Sequence, residues 1–202
     1  MFESAQSVCY LGVRIQKEAT ESFESGTAFF VSENVLLTAG HLLRHPNTKS
    51  IVVQLPGTLQ AELYVEDLFS ARSDTMECEI LENGYPNVDL CVLRVKGDYR
   101  ADKYLKPLKV DIAKGTALDV IGYPGDYSDR YIKKMHEGRI EARQGVQEVS
   151  ELFPKCELIV SHGKADTGGH CPRYLLSTVS GMSGAPVFAD GKAIGITDEV
   201  RG

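Results

Sequence analysis

The apolar segments of this chain are short, and their brevity limits the folds open to it. Most are rich in Val, Ile, Leu, Phe and Tyr and are separated by Gly, Asn, Asp or Pro. This pattern is typical of short β-strands joined by turns. Strands are predicted over residues 8–16, 26–31, 35–37, 51–55, 61–66, 75–81 and 89–95, and then over 117–122, 135–142, 157–161, 174–178, 185–188 and 192–197. The sequence therefore predicts an all-β protein, with helix limited to a turn after Ala39 and a segment near 146–153.

A polar stretch between the two groups of strands has the composition of a connector. It covers residues 97–114 and is rich in Lys and Asp, as expected of a loop between two packed units. The chain has 202 residues, 43% of them hydrophobic, which suffices for one all-β unit or two small fused barrels. Later in the chain, Asp190 and Gly191 separate two apolar runs. Because Asp-Gly readily adopts positive φ angles, this pair predicts a tight hairpin.

The charge and hydropathy of the chain argue against two classes of partner. Twenty-two basic and twenty-eight acidic residues give a formal net charge of −6, and no run of Lys or Arg forms a stripe that could follow a phosphate backbone. No segment approaches the roughly 20 apolar residues of a membrane helix, and the start of the sequence does not resemble a secretory leader. We therefore expect no nucleic acid or membrane partner, and an intracellular, cytoplasmic location.

The cysteines support the same location. There are five of them, and an odd number without regular spacing excludes a complete disulfide framework. Free thiols suit a reducing compartment. Cys9 and Cys91 lie within apolar runs, where a cysteine behaves as a small hydrophobic residue, and both are predicted to pack in a core.

Three segments carry residues that together suit acyl transfer. They contain His41, Asp89 and Ser183, in that chain order. A serine hydroxyl is a poor nucleophile at neutral pH, and it needs an imidazole to accept its proton and a carboxylate to orient that imidazole. Taken singly, the histidine and the aspartate could equally be exposed surface residues.

The serine segment is the most specific of the three. Gly181 and Gly184 bracket Ser183, and they allow the backbone to turn sharply. The N–H groups of Gly181 and Ser183 can then converge on one oxygen atom as an oxyanion hole. The alternative is a glycine-rich turn whose serine has no function.

These segments resemble the signature blocks of a known family. Thr38–His41, Val88–Leu93 and Gly181–Val187 are similar to the histidine, aspartate and serine blocks of trypsin-like peptidases. Gly26–Val31 is similar to the strand that precedes the histidine block, and Gly191–Ile196 resembles the strand pair that flanks substrate. Val120–Gly125 is similar to the first strand of the second barrel in the non-disulfide branch, which includes the HtrA and glutamyl endopeptidase groups. The resemblance implies two antiparallel β-barrels packed together, chymotrypsin-like, with the active site in the crevice between them. Residues 1–202 would form one peptidase domain, with barrels over 1–96 and 115–202 and a connector over 97–114.

The resemblance implies a serine endopeptidase that acts on proteins or peptides without a cofactor. His41, Asp89 and Ser183 would be catalytic, and the Gly181 and Ser183 amides would form the oxyanion hole. The same resemblance places three residues at the substrate pocket: Ser177, Thr178 and Thr197. None of them is an aspartate at the pocket base, so no preference for arginine or lysine is inferred.

Two departures from the secreted members of the family bear on stability and control. No cysteine lies between Cys9 and Cys78, so the disulfide that brackets the histidine in those members is absent. Met182 occupies the position of the aspartate that pairs with a newly cut N-terminal amine. We therefore expect regulation by a partner, a neighbouring domain or a loop rearrangement.

Two other functions remain open on the sequence. One is a catalytically silent protease-like module that binds a protein partner within a larger signalling or defence protein. The other is zinc chemistry through His41 and His45, but Leu42 stands where a metalloprotease needs its glutamate. A structural zinc site is also disfavoured, since the spacing of its candidate ligands matches no known finger: Cys156, His162, His170 and Cys171. No metal is therefore expected.

Overall fold

The structure is a computed structural model that describes residues 3–57, 65–70, 74–124, 157–169, 174–175 and 181–197. These residues form eleven β-strands and three short 3-10 helices. The first six strands are β1 (Val8–Lys17), β2 (Thr20–Phe30), β3 (Val35–Thr38), β4 (Thr48–Gln54), β5 (Thr75–Asn83) and β6 (Cys91–Val95). The others are β7 (Ala117–Gly122), β8 (Ile159–Ala165), β9 (Tyr174–Leu175), β10 (Pro186–Ala189) and β11 (Lys192–Ile196). The 3-10 helices cover Glu3–Ser7, Gly40–Leu43 and Val65–Phe69.

The first six strands close into an antiparallel barrel in the order β1-β2-β3-β6-β5-β4. Successive side chains of a strand point to opposite faces, so alternate residues of β1 line the barrel interior. Four residues of β1 belong to this inner cluster: Cys9, Leu11, Val13 and Ile15. Residues from the other strands complete it, among them Phe30, Val53 and Leu93. The interior is therefore a packed apolar core.

The opposite face of β1 joins the barrel to the second sheet. Val8 and Tyr10 belong to a second cluster that includes Ile121 of β7, Tyr123 just after β7 and Phe188 of β10. The rings of Tyr10 and Tyr123 meet edge to face with centroids 5.8 Å apart. Both faces of β1 are thus covered, which explains why its first six residues are all buried.

The second sheet contains five strands among the described residues, in the order β11-β10-β7-β8-β9. A third apolar cluster lies against it and includes Leu118, Val120, Met182 and Val187. The strand β6 ends at Val95 and β7 begins at Ala117, on either side of the predicted connector. The domain boundaries themselves stay a prediction.

The predicted all-β class is confirmed, and so are the helical turn after Ala39 and the hairpin at Asp190 and Gly191, whose φ angles are 48° and 71°. The strand predicted over 61–66 is wrong at its described end, because Val65–Phe69 forms a 3-10 helix. Its apolar residues recur with helical spacing, and Leu68 packs beneath Gly12 of β1. The predicted strand over 135–142 and the helical segment over 146–153 lie outside the described residues. No helix in the described ranges has the length and hydropathy needed to cross a membrane.

Candidate active site

His41 is placed at the rim of the first barrel by the end of β3. The chain leaves the strand through Ala39 in an extended conformation and enters the 3-10 helix Gly40–Leu43. This turn buries the histidine, which is only 6% exposed. The imidazole is therefore held by the barrel rim and is not a mobile surface group.

Asp89 contacts His41 through both of its carboxylate oxygens. Oδ2 lies 2.6 Å from the ring nitrogen Nδ1, and Oδ1 accepts a hydrogen bond of 2.6 Å from the backbone N–H of His41. A carboxylate only accepts hydrogen bonds, so Nδ1 carries the proton and Nε2 has a lone pair available. The two side chains are 7% and 11% exposed, and little water screens the interaction between them. In a neutral ring, this arrangement leaves Nε2 as the nitrogen that can accept a proton.

The loop that carries Asp89 is closed by its own backbone. Gly84 N–H donates to the carbonyl of Leu90 at 2.9 Å, and the N–H groups of Asn87 and Val88 both donate to the carbonyl of Gly84 at 3.0 Å. These bonds fold the connection between β5 and β6 into a compact loop. They hold the carboxylate at the end of the barrel that also carries His41.

The turn that carries Ser183 packs against the segment that leads to His41. The carbonyl of Ser183 accepts a hydrogen bond of 2.9 Å from the N–H of Thr27 in β2. A Cβ atom added at Gly184 would lie 2.7 Å from the backbone nitrogen of Ala39, which is two residues before His41. The structure therefore brings the three predicted segments to one junction between the barrel and the second sheet.

The backbone of this turn contains the two predicted oxyanion donors. Gly181 and Gly184 have φ angles of 95° and 85°, which a residue with a side chain rarely adopts. The carbonyl of Gly181 accepts from the Thr27 hydroxyl at 3.1 Å. Within the described part of the chain, the N–H groups of Gly181 and Ser183 donate to no other residue. An oxyanion hole requires two such donors aimed at one point, and the assignment of Gly181 and Ser183 to this role stays a prediction.

Thr197 holds the same turn from the second sheet. Its hydroxyl contacts the carbonyl of Met182 at 2.5 Å and accepts from the N–H of Ala185 at 3.0 Å. Its backbone bonds to Gly184 and Ala185 as well, and the residue is 2% exposed. The described contacts of its side chain are thus with the serine turn. A contact between Thr197 and substrate stays a prediction, and Ser177 and Thr178 lie outside the described residues.

Met182 anchors the turn through packing. Its side chain is fully buried in the third apolar cluster, with Val120 and Ala185 among its members. In this position an aspartate would need a buried cationic partner, whereas a methionine needs only apolar neighbours. The core of the second sheet therefore supports the serine turn directly.

The remaining histidines of the described region pair with separate carboxylates. His45 Nε2 lies 3.2 Å from Glu24 Oε1, and His162 Nδ1 lies 2.6 Å from Asp119 Oδ1. In the described ranges, no three His, Cys, Asp or Glu side chains are grouped closely enough to hold a metal ion. Three of the four candidate ligands of the disfavoured structural zinc site lie outside those ranges: Cys156, His170 and Cys171.

The fold and this junction define a class of protein. The family model for the trypsin-like peptidase domain matches residues 26–196, which covers the three site segments and most of both sheets. The chain belongs to the trypsin-like peptidase family, and it is a serine peptidase of that family. A search of curated proteins finds no match.

Two solved structures of one bacterial protein share the fold. The Rv3671c protease from M. tuberculosis in its active form has 14% sequence identity and a TM-score of 0.58, and the match covers 96% of this chain and 70% of that one. A serine-to-alanine mutant of Rv3671c from M. tuberculosis H37Rv, in its inactive form, gives the same identity and TM-score, with 96% and 77% covered. At this identity the likeness concerns the fold, and the predicted chymotrypsin-like pair of packed barrels is confirmed.

Two residues of the site were not identified from the sequence. Thr27 binds the Ser183 turn, and Asn83 binds the His41 turn. Both act on backbone groups far away in sequence, so no spacing rule points to them. A threonine between Gly26 and Ala28 in an apolar strand was the one available signal for Thr27.

Proposed function

We propose that this peptidase cleaves peptide bonds through a triad of Ser183, His41 and Asp89 and a covalent acyl-enzyme intermediate. The observation that carries the proposal is the double contact of Asp89 with His41, through both the ring and the backbone. A carboxylate used in this way fixes the tautomer and the orientation of the ring together. An exposed, structural ion pair would not require a contact to the ring and a contact to the backbone at the same time.

The proposed reaction begins when His41 Nε2 accepts the proton of the Ser183 hydroxyl. The Oγ atom attacks the substrate carbonyl carbon, and the negative charge on the carbonyl oxygen is stabilised by the Gly181 and Ser183 N–H groups. The tetrahedral species collapses when the imidazolium donates its proton to the departing amine, which leaves an ester on Ser183. A water molecule, deprotonated by the same imidazole, then hydrolyses the ester and restores the serine hydroxyl.

Asp89 serves this cycle by stabilising the positive charge on the imidazole at each step. The pair is mostly withdrawn from water, where a charge without a partner is costly. Substitution of such an aspartate by asparagine supports the wrong tautomer and slows acyl transfer by on the order of 10⁴-fold.

We further propose that activity is controlled by a partner or a neighbouring domain. The buried Met182 cannot form the ion pair by which a newly cut N-terminus activates secreted members of the family. The serine turn is instead held by Thr27, Thr197 and the apolar cluster. Proteins or peptides are the substrates, as the family implies.

Cleavage of a proteome-derived peptide library tests the endopeptidase function and measures its specificity. Wild-type protein is compared with Ser183→Ala, and new peptide ends are identified by mass spectrometry. We expect internal cleavage sites with a shared residue preference in the wild-type sample alone. Identical cleavage by Ser183→Ala, or no cleavage by the wild type at any concentration, would contradict the proposal.

A further inference from the structure

The side-chain amide of Asn83, at the end of β5, connects the two loops of the catalytic pair. Its Nδ2 donates to the carbonyls of Gly40 and Leu43, each at 3.2 Å. These carbonyls flank His41 in the 3-10 turn. Its Oδ1 accepts from the backbone N–H of Tyr85 at 3.1 Å, at the start of the loop that leads to Asp89. The Asn83 side chain therefore makes three hydrogen bonds, two to the turn that carries His41 and one to the loop that leads to Asp89.

The peptide unit between Gly40 and His41 is held from both sides as a result. Asn83 binds its carbonyl oxygen, and Asp89 Oδ1 binds its N–H. The two contacts together fix the plane of this peptide. Because the orientation of this peptide sets the direction in which the His41 side chain leaves the backbone, Asn83 and Asp89 jointly determine where the imidazole lies.

The position of Asn83 is itself rigid. The residue is paired with Cys91 across the antiparallel β5–β6 ladder, two residues after Asp89 in the chain. A Cβ atom added at Gly40 would lie 2.6 Å from Asn83 Oδ1, so the turn and the amide are in close contact. This contact and the hydrogen bonds to Gly40 and Leu43 leave the amide little freedom to move.

We propose that Asn83 is a positioning residue that sets the geometry of the His41–Asp89 pair. The proposal rests on the proposed triad function, because the geometry matters only if His41 acts as a base. The described hydrogen bonds of the Asn83 side chain are to backbone groups, and through them it acts on the histidine turn.

Two substitutions compare removal of the amide with its replacement by a carboxylate. Asn83→Ala removes all three bonds. Asn83→Asp keeps the size and the acceptor oxygen but replaces the N–H donors by oxygen, which faces the carbonyl oxygens of Gly40 and Leu43. Gln16→Ala is the matched control, since the Gln16 amide also donates to two backbone carbonyls, those of Glu18 and Thr20, in a hairpin outside the site.

The first measurement is the second-order rate of labelling of Ser183 by a fluorophosphonate, which needs no knowledge of the natural substrate. We expect both Asn83 variants to react between about 10-fold and 100-fold more slowly than the wild type, the range caused by a small misplacement of a catalytic group. Gln16→Ala should react at the wild-type rate. Wild-type rates in folded Asn83 variants would overturn the proposal.

The second measurement is the proton resonance of His41 Nδ1–H in ¹⁵N-labelled protein, which reports the bond to Asp89 without reference to activity. We expect the strongly deshielded wild-type signal to move upfield or exchange with water in Asn83→Ala, and to be unchanged in Gln16→Ala. A signal that is identical in all three proteins would overturn the proposal. If wild-type Ser183 is not labelled at all, the proposed function fails, and the resonance alone still decides the role of Asn83.

Discussion

At the scale of single residues, Gly184 shows how closely the serine turn fits the first barrel. A side chain at this position would meet the carbonyl oxygen of Thr27, the Thr38 hydroxyl and the nitrogen of Ala39. These are mainly fixed backbone atoms that cannot move aside as a flexible side chain can. The small residue is required by this contact as well as by its positive φ.

Gly184→Ala should therefore destabilise the protein more than its backbone angle alone explains. Gly115 has nearly the same φ, 86° against 85°, but nothing lies within 4 Å of an added Cβ. We expect Gly115→Ala to lower the free energy of unfolding by about 1 kcal/mol. Gly184→Ala adds a steric term of about 1–3 kcal/mol.

Urea denaturation of the two variants and the wild type measures the difference. The contact between the serine turn and β2 would be refuted by equal losses of stability at the two glycines.

The sequence alone predicted the candidate catalytic residues but not the residues that hold them. His41, Asp89 and Ser183 stand in short blocks with a characteristic order and spacing. Asn83 and Thr27 act on backbone atoms 40 to 154 positions away. Such pairings depend on the closed barrel and on its packing against the second sheet, and no local pattern encodes them.

At the scale of the strands, the interior of the first barrel explains the free cysteines. Cys9, Cys78 and Cys91 are buried thiols from β1, β5 and β6, so the predicted core packing of Cys9 and Cys91 is confirmed. Burial raises the pKa of Cys78 and of Cys91 from 9.0 to about 12. Desolvation favours the neutral thiol, which is the form that does not react.

These three cysteines should resist alkylation in the folded protein. With a pKa of about 12, roughly one Cys78 or Cys91 thiol in 10⁴ is ionised at pH 8, and burial also raises the pKa of the Cys9 thiol. The neutral form is favoured in the fold, so its stabilising contribution is complete below pH 9 and is lost as the pH rises towards 12.

Treatment with iodoacetamide at pH 8, followed by peptide mass spectrometry, checks this. We expect the peptides of Cys9, Cys78 and Cys91 to be modified only after addition of denaturant. Rapid modification of any of the three in native protein would contradict a packed barrel interior.

Strand prediction succeeded where side chains alternate or are continuously apolar. It failed where a short apolar segment packs over the outside of a strand. Strands β1, β3 and β4 lie within about three residues of their predicted positions, whereas β2 begins at Thr20, six residues before its predicted start. Val65–Phe69 was assigned in part to a strand, although its apolar residues pack on the outside of β1 from a 3-10 helix. Periodicity in so short a segment cannot separate the two conformations.

At the scale of the whole molecule, the site exists because two sheets meet. The first barrel supplies His41, Asp89 and the Thr27 contacts, and the second sheet supplies Ser183 with Thr197 behind it. The shared apolar cluster around Tyr10 and Tyr123 holds the sheets together. Because burial of this apolar cluster stabilises the contact between the sheets, it also keeps the serine turn next to the histidine turn.

The proposed triad is tested most directly by the identity of the residue that a fluorophosphonate modifies, determined by tandem mass spectrometry. A triad of Ser183, His41 and Asp89 predicts one adduct, on Ser183 Oγ, in the wild type. It predicts no adduct in Ser183→Ala and labelling slowed by on the order of 10⁴-fold in Asp89→Asn. An adduct on another residue, or a wild-type rate in Asp89→Asn, would contradict a triad assembled across the two sheets.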